Sequence, residues 1–185
     1  MKTMKKVLSC LLAVLLLASL CATAVAAAPV PSVEAEPQVP GVLEATDDDG
    51  NDVTDAIIIT DYEDKEAVEK LPEEAQKNLE KAAEALKDLD ALIEGNDDLK
   101  ELLAGAEVDG ESLFDISIVG DVKLPVNLKL ELDNPDNFAA LLHFVDDGIE
   151  VIDTTLETEE DEEVLSMVLE EVGSYAVLSF VDAKE

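Results

Sequence analysis

Residues 124–132 read Leu-Pro-Val-Asn-Leu-Lys-Leu-Glu-Leu. Leu124, Val126, Leu128, Leu130 and Leu132 occupy alternate positions, with Pro125, Asn127, Lys129 and Glu131 between them. Successive side chains of an extended chain point to opposite faces, so a period of two predicts a strand with one face buried and the other in water. The flanks extend this reading. Leu113-Phe114-Asp115-Ile116-Ser117-Ile118 alternates as well. Asn134-Pro135-Asp136-Asn137 is turn chemistry. Phe138–Val145 and Ile149–Thr155 flank Asp146-Asp147-Gly148, a hairpin signal, because Asp-Gly supplies the positive φ that a tight turn requires. The acidic run Glu157–Glu163 precedes Val164–Leu169, which propensity leaves open between helix and strand. Tyr175–Val181 predicts a terminal strand. Residues 111–185 are thus expected to form an antiparallel β part.

N-terminal to this region the period changes. Leu71-Pro72-Glu73-Glu74 resembles a helix start, with proline in the first turn and acids at the positive end of the dipole. Ala75, Leu79, Ala82, Leu86, Leu89 and Ile93 follow at steps of three and four, which keeps them on one helical face. Gly95-Asn96 ends the helix. Asp97 or Asp98 is expected to cap a second, shorter helix carrying Leu99, Leu102 and Leu103. A β-prone run, Ala56–Thr60, precedes the pair and reads as an edge strand. Residues 55–110 therefore predict a short strand plus a helical pair. The expected class is α+β: an N-terminal helical pair followed by an antiparallel β-sheet or small β-sandwich, packed with the helices as one domain.

The first residues have another purpose. Lys2, Lys5 and Lys6 precede an apolar run from Val7 to Leu20, and small residues follow up to Ala28. This pattern predicts a signal peptide at 1–28 and a secreted product, extracellular or associated with the cell surface, with no membrane insertion after cleavage. The run is shorter than the ~20 residues of a helical span. A retained anchor and lipidation at Cys21 are the alternatives; Leu20 fits poorly at a lipoprotein cleavage position. Both cysteines, Cys10 and Cys21, fall in the segment expected to be removed, so the mature chain is expected to rely on its hydrophobic core rather than disulfides. Residues 29–54 read as a disordered leader, rich first in proline and then in acids.

The chain has 45 Asp and Glu against 12 basic residues, all of them lysine, for a net charge of −33. Three of those lysines lie in the expected signal peptide, so the mature chain is relatively more acidic. Such a chain repels phosphate backbones and anionic bilayers, which excludes nucleic acid as a partner. Cationic proteins and extracellular glycans remain compatible.

Chemistry-bearing patterns are sparse. Asp47-Asp48-Asp49-Gly50-Asn51-Asp52 resembles a calcium loop, but Ala45 and Ala56 fall where the first and the bidentate ligands belong. Asp47, Asp49, Asp146 and Asp147 are the candidate metal residues, with weak Ca²⁺ as the cofactor they would take and no other cofactor expected. His143 is the one histidine. Its place between Leu142 and Phe144 predicts an outward-facing strand residue, and no Gly-x-Ser-x-Gly elbow accompanies it. The four phenylalanines read as core, and no tryptophan offers a sugar platform.

The second half also resembles an uncharacterised domain of secreted and cell-surface proteins from gut Firmicutes. The resemblance rests on Leu113-Phe114-Asp115-Ile116-Ser117, on Phe138 with Leu141-Leu142-His143-Phe144, on Asp147-Gly148 with Glu150-Val151, and on Gly173-Ser174-Tyr175-Ala176-Val177. It spans roughly residues 56–181. It departs at Ile149, where that domain tends to carry tryptophan, and at Ser174-Tyr175, where it has Ser-Pro-Phe. The resemblance implies a helical pair before a β-sandwich-like part and no known enzymatic activity. The functional expectation is a secreted, non-enzymatic accessory or interaction domain. A weak Ca²⁺-binding surface protein and an extracellular carboxylate-dependent hydrolase are the alternatives.

Overall fold

The computed structural model describes residues 39–180 apart from 105, 133, 134, 147, 160 and 161. The expected signal peptide and both cysteines lie outside the described residues. The class is α+β, with helices and two antiparallel sheets.

The described chain begins with β1 (Gly41–Asp47), a 3-10 turn at Thr54–Ala56 and β2 (Ile57–Asp61). Helices α1 (Lys65–Val68), α2 (Glu73–Leu86), α3 (Leu89–Gly95) and α4 (Asp97–Leu103) follow. The remainder is β3 (Val108–Ile118), β4 (Val126–Glu131), β5 (Phe138–Val145), β6 (Gly148–Val151), β7 (Thr154–Glu159), β8 (Glu162–Leu169) and β9 (Gly173–Phe180). Strands β1-β4-β8-β7 form one sheet, here the outer sheet. Strands β2-β3-β9-β5-β6 form the other, the central sheet.

Burial orders these into three layers. Val126, Leu128 and Leu130 of β4, with Leu165, Met167 and Leu169 of β8, pack against Phe114, Ile116, Leu141, Tyr175 and Val177 of the central sheet. The opposite face of the central sheet carries Leu113, Ala140, Leu142, Ala176 and Leu178 into contact with Leu79, Ala82 and Leu86 of α2 and Leu99 and Leu103 of α4. Among the described residues the central sheet is therefore covered on both faces, and the outer sheet on one. Apolar burial of this kind stabilises by about 25 cal/mol per Å² of surface removed from water.

Several expectations change in detail. Gly41–Asp47, within the span expected to be a disordered leader, is an edge strand. Ala45 is its one fully buried residue, so the run carries no alternating apolar signal. The helical segment follows two strands and holds four helices rather than a pair. The long helix breaks after Leu86 because the Asp88 carboxylate accepts the Ala91 amide at 3.1 Å and starts α3. Asn96, not Asp97 or Asp98, caps α4 by accepting the amides of Asp98 and Leu99. Val164–Leu169 belongs to a strand, β8, whose register with β4 runs from Val126↔Leu169 to Glu131↔Val164.

Candidate functional site

The face of the outer sheet that no other described layer covers carries the candidate site. Alternation along β4 sends Val126, Leu128 and Leu130 inward, leaving Asn127 and Lys129 on the outer face. The register aligns these with their neighbours in two rungs. Thr46, Asn127 and Val168 form one. Glu44, Lys129, Ser166 and Thr155 form the other and cross all four strands. Together with Asp153 they line a shallow groove of about 260 Å³. Lys129 Nζ lies 3.0 Å from Glu44 Oε2 across the first strand pair. Ser166 Oγ donates to Glu157 Oε2 at 3.5 Å. Val168, 48% exposed, adds an apolar surface.

Chemically, the groove offers hydroxyls, one carboxamide, the Asp153 carboxylate, the Lys129–Glu44 ion pair and one apolar wall. This set can exchange hydrogen bonds with a polar ligand and shield one of its faces. Its polar alternate positions are visible in the sequence of β4. Their alignment with Thr46, Thr155 and Ser166 depends on long-range pairing, which no local pattern reports.

The candidate metal residues occupy different places. Asp47 and Asp49 sit at the turn after β1. The Asp47 carboxylate accepts the Asp49 amide at 3.0 Å, the Asn51 amide at 2.8 Å, and the Asn51 side-chain amide at 2.9 Å and 3.1 Å. The Asn51 side chain and these amides hold its pKa below the usual carboxylate value. That carboxylate anchors its own turn. Asp146 is exposed at the β5–β6 turn of the other sheet, and Asp147 lies outside the described residues. Among the described residues, no group of three or more His, Cys, Asp or Glu is placed to hold a metal ion.

His143 does not face outward as expected. It is 4% exposed, between the two sheets. Both faces of β5 are covered, so alternation there carries no information about exposure. The imidazole stacks on Tyr175 at 4.4 Å between centroids and 10° between planes. Its Nδ1 lies 3.9 Å from Glu150 Oε2, on the opposing residue of β6. Burial lowers its pKa, and Glu150 and Glu171 offset part of that fall. The Tyr175 hydroxyl donates to the Glu171 carbonyl at 2.6 Å, and burial pushes its pKa upward.

Asp115 and Ser174 are further buried polar residues, on the helix-covered face of the central sheet. Ser174 Oγ has no hydrogen-bond partner. Burial raises the Asp115 carboxyl to about 6. In the sequence, Asp115 reads as the polar half of an alternating strand.

No helix among the described residues is long and apolar enough to cross a membrane. No family model, curated protein or solved structure matches the chain.

Proposed function

We propose that the chain is an exported, non-enzymatic interaction module that holds a neutral, hydroxyl-rich ligand, an extracellular glycan segment, in the groove of the outer sheet. The observation that carries this reading is the two-rung polar surface, Thr46-Asn127-Val168 and Glu44-Lys129-Ser166-Thr155, on the sheet face that no other layer covers among the described residues. Hydroxyls and a carboxamide match the donors and acceptors of a sugar chain, and Val168 matches the apolar side of a pyranose ring. A net charge of −33 disfavours anionic glycans and leaves neutral ones. The Lys2-Lys5-Lys6 region with its apolar run supports export. The resemblance of residues 56–181 to domains of gut Firmicutes surface proteins supports a place at the cell exterior. The packing of His143 against Tyr175 gives the sole histidine a role in the core, which supports a binding rather than a catalytic reading.

The test is an amide-shift titration of the protein with neutral oligosaccharides, cello-, xylo- and manno-hexaose each in turn. Saturable shifts are expected at residues 44–46, 127–129 and 166–168. The double variant Asn127→Ala, Ser166→Ala is expected to weaken binding at least tenfold, on the order of 1.4 kcal/mol or more. Saturable shifts confined to another face, or none at millimolar sugar, would overturn the reading.

A further inference from the structure

The face of the central sheet beneath α2 is apolar except for one row. Thr60 of β2 pairs with Asp115 of β3, and Asp115 pairs with Ser174 of β9. All three are buried, with Asp115 2% and Ser174 0% exposed. Ser174 Oγ is unpartnered, and no hydrogen bond to the Asp115 carboxyl is present among the described residues. Directly opposed residues of an antiparallel pair hold their Cβ atoms about 5 Å apart. A change of rotamer is enough to bring the two oxygen-bearing groups together. Each group lacks what the other can supply.

Among the described residues, no opposite charge compensates this carboxyl. The charged residues of α2, Glu73, Glu74, Lys77, Glu80, Lys81 and Glu84, are all exposed, as are Lys65 and Glu66 of α1. Those of α3 and α4, Asp90, Glu94, Asp97, Asp98, Lys100 and Glu101, are exposed too. Asp61 and Tyr62, at and just past the end of β2, are half-buried. On β5 and β6 the residues of this row are Phe144 and Ile149, while His143, Glu150 and Tyr175 occupy the next row, on the opposite face. Burial is the cause of the raised Asp115 pKa.

We propose that Asp115 and Ser174 form a proton-operated latch between the central sheet and the helical layer. With the proton on Asp115, its O–H donates to Ser174 Oγ, both groups are satisfied, and α2 closes on a neutral surface. When the proton leaves to bulk water, the carboxylate requires donors. The Ser174 hydroxyl supplies one, and the remaining lone pairs draw water beneath α2. The helical layer then loosens while the outer sheet, which lies on the other side of the central sheet, keeps its packing.

The experiment is hydrogen exchange of backbone amides between pH 5 and pH 8, with a carbon-13 titration of the Asp115 carboxyl. The ratio of exchange rates, α2 amides over β8 amides, cancels the common pH dependence of the chemistry. This ratio is expected to rise at least tenfold across the range in the wild type and to stay flat in Asp115→Asn. The carboxyl is expected to titrate well above the ordinary aspartate midpoint of about 4. A flat wild-type ratio, or an ordinary midpoint, would sink the latch. If Asp115→Asn does not fold, these two wild-type measurements decide the question by themselves.

Discussion

At the scale of single residues, His143 and Asp115 tie the stability of the fold to pH with opposite signs. The folded pKa of His143 lies below 6.5, so the unfolded chain takes up a proton that the folded chain refuses. Its stabilising contribution is complete above 6.5 and is lost as pH falls through the folded value. Asp115 rises from 3.8 to about 6 on folding. Its contribution is complete below 3.8 and is lost as pH rises through about 6. Urea unfolding at a series of pH values is expected to show both slopes. His143→Gln is expected to remove the loss on the acid side, and Asp115→Asn the loss between about pH 4 and 6. A wild-type curve unchanged by either substitution would contradict this assignment. Gly173 belongs to the same neighbourhood. Its φ is +148°, and a Cβ there would stand 3.3 Å from His143 Nε2, so the stacked imidazole and the start of β9 both depend on a bare α-carbon.

At the scale of elements, α2 holds the helical layer to the central sheet through Leu79, Ala82 and Leu86. Leu79 is fully buried, and Leu79→Ala is expected to cost about 2–5 kcal/mol in chemical denaturation. Its solvent-side ion pairs, such as Lys77 with Glu73, contribute little because water and salt screen them. A loss well under 1 kcal/mol at Leu79 would mean that the layer is only loosely docked. The same helix shows where the sequence was legible. Its three- and four-residue spacing is a local property, as is the alternation of β4: β4 lies within the alternating stretch, and the helix starts where the pattern places it but ends at Leu86, short of Leu89 and Ile93. Strand β1 was hidden because a bulged edge strand that buries only Ala45 has no periodicity to read. Strand β8 was ambiguous because Val-Leu-Ser-Met-Val-Leu suits either period, and pairing with β4 decides it. The groove was half legible: Asn127 and Lys129 are marked by alternation. Their partners on β1, β7 and β8 are set by register alone. The inward turn of His143 was illegible because a strand covered on both faces loses the polar alternation that reports orientation.

At the scale of the whole molecule, charge dominates. Forty-five acidic residues against twelve lysines repel one another over distances comparable to the domain at low salt. The melting temperature is expected to rise between about 10 mM and 150 mM NaCl, where the Debye length falls to ~8 Å. CaCl2 and MgCl2 at matched ionic strength are expected to act alike, because the Asp47 carboxylate is already committed to its turn. A saturable rise specific to Ca²⁺ in calorimetry would instead assign a cation site to the aspartates at Asp47, Asp49 or Asp146. The order of strands has a different consequence. The central sheet runs β2-β3-β9-β5-β6, so its middle strand is the last one described, Gly173–Phe180. The pairs β2–β3 and β5–β6 have no common neighbour until that segment arrives between them. Until then the chain has no complete central sheet on which the helices or the outer strands can settle, so the segments made before Gly173 stay pliable until the last of these strands is available.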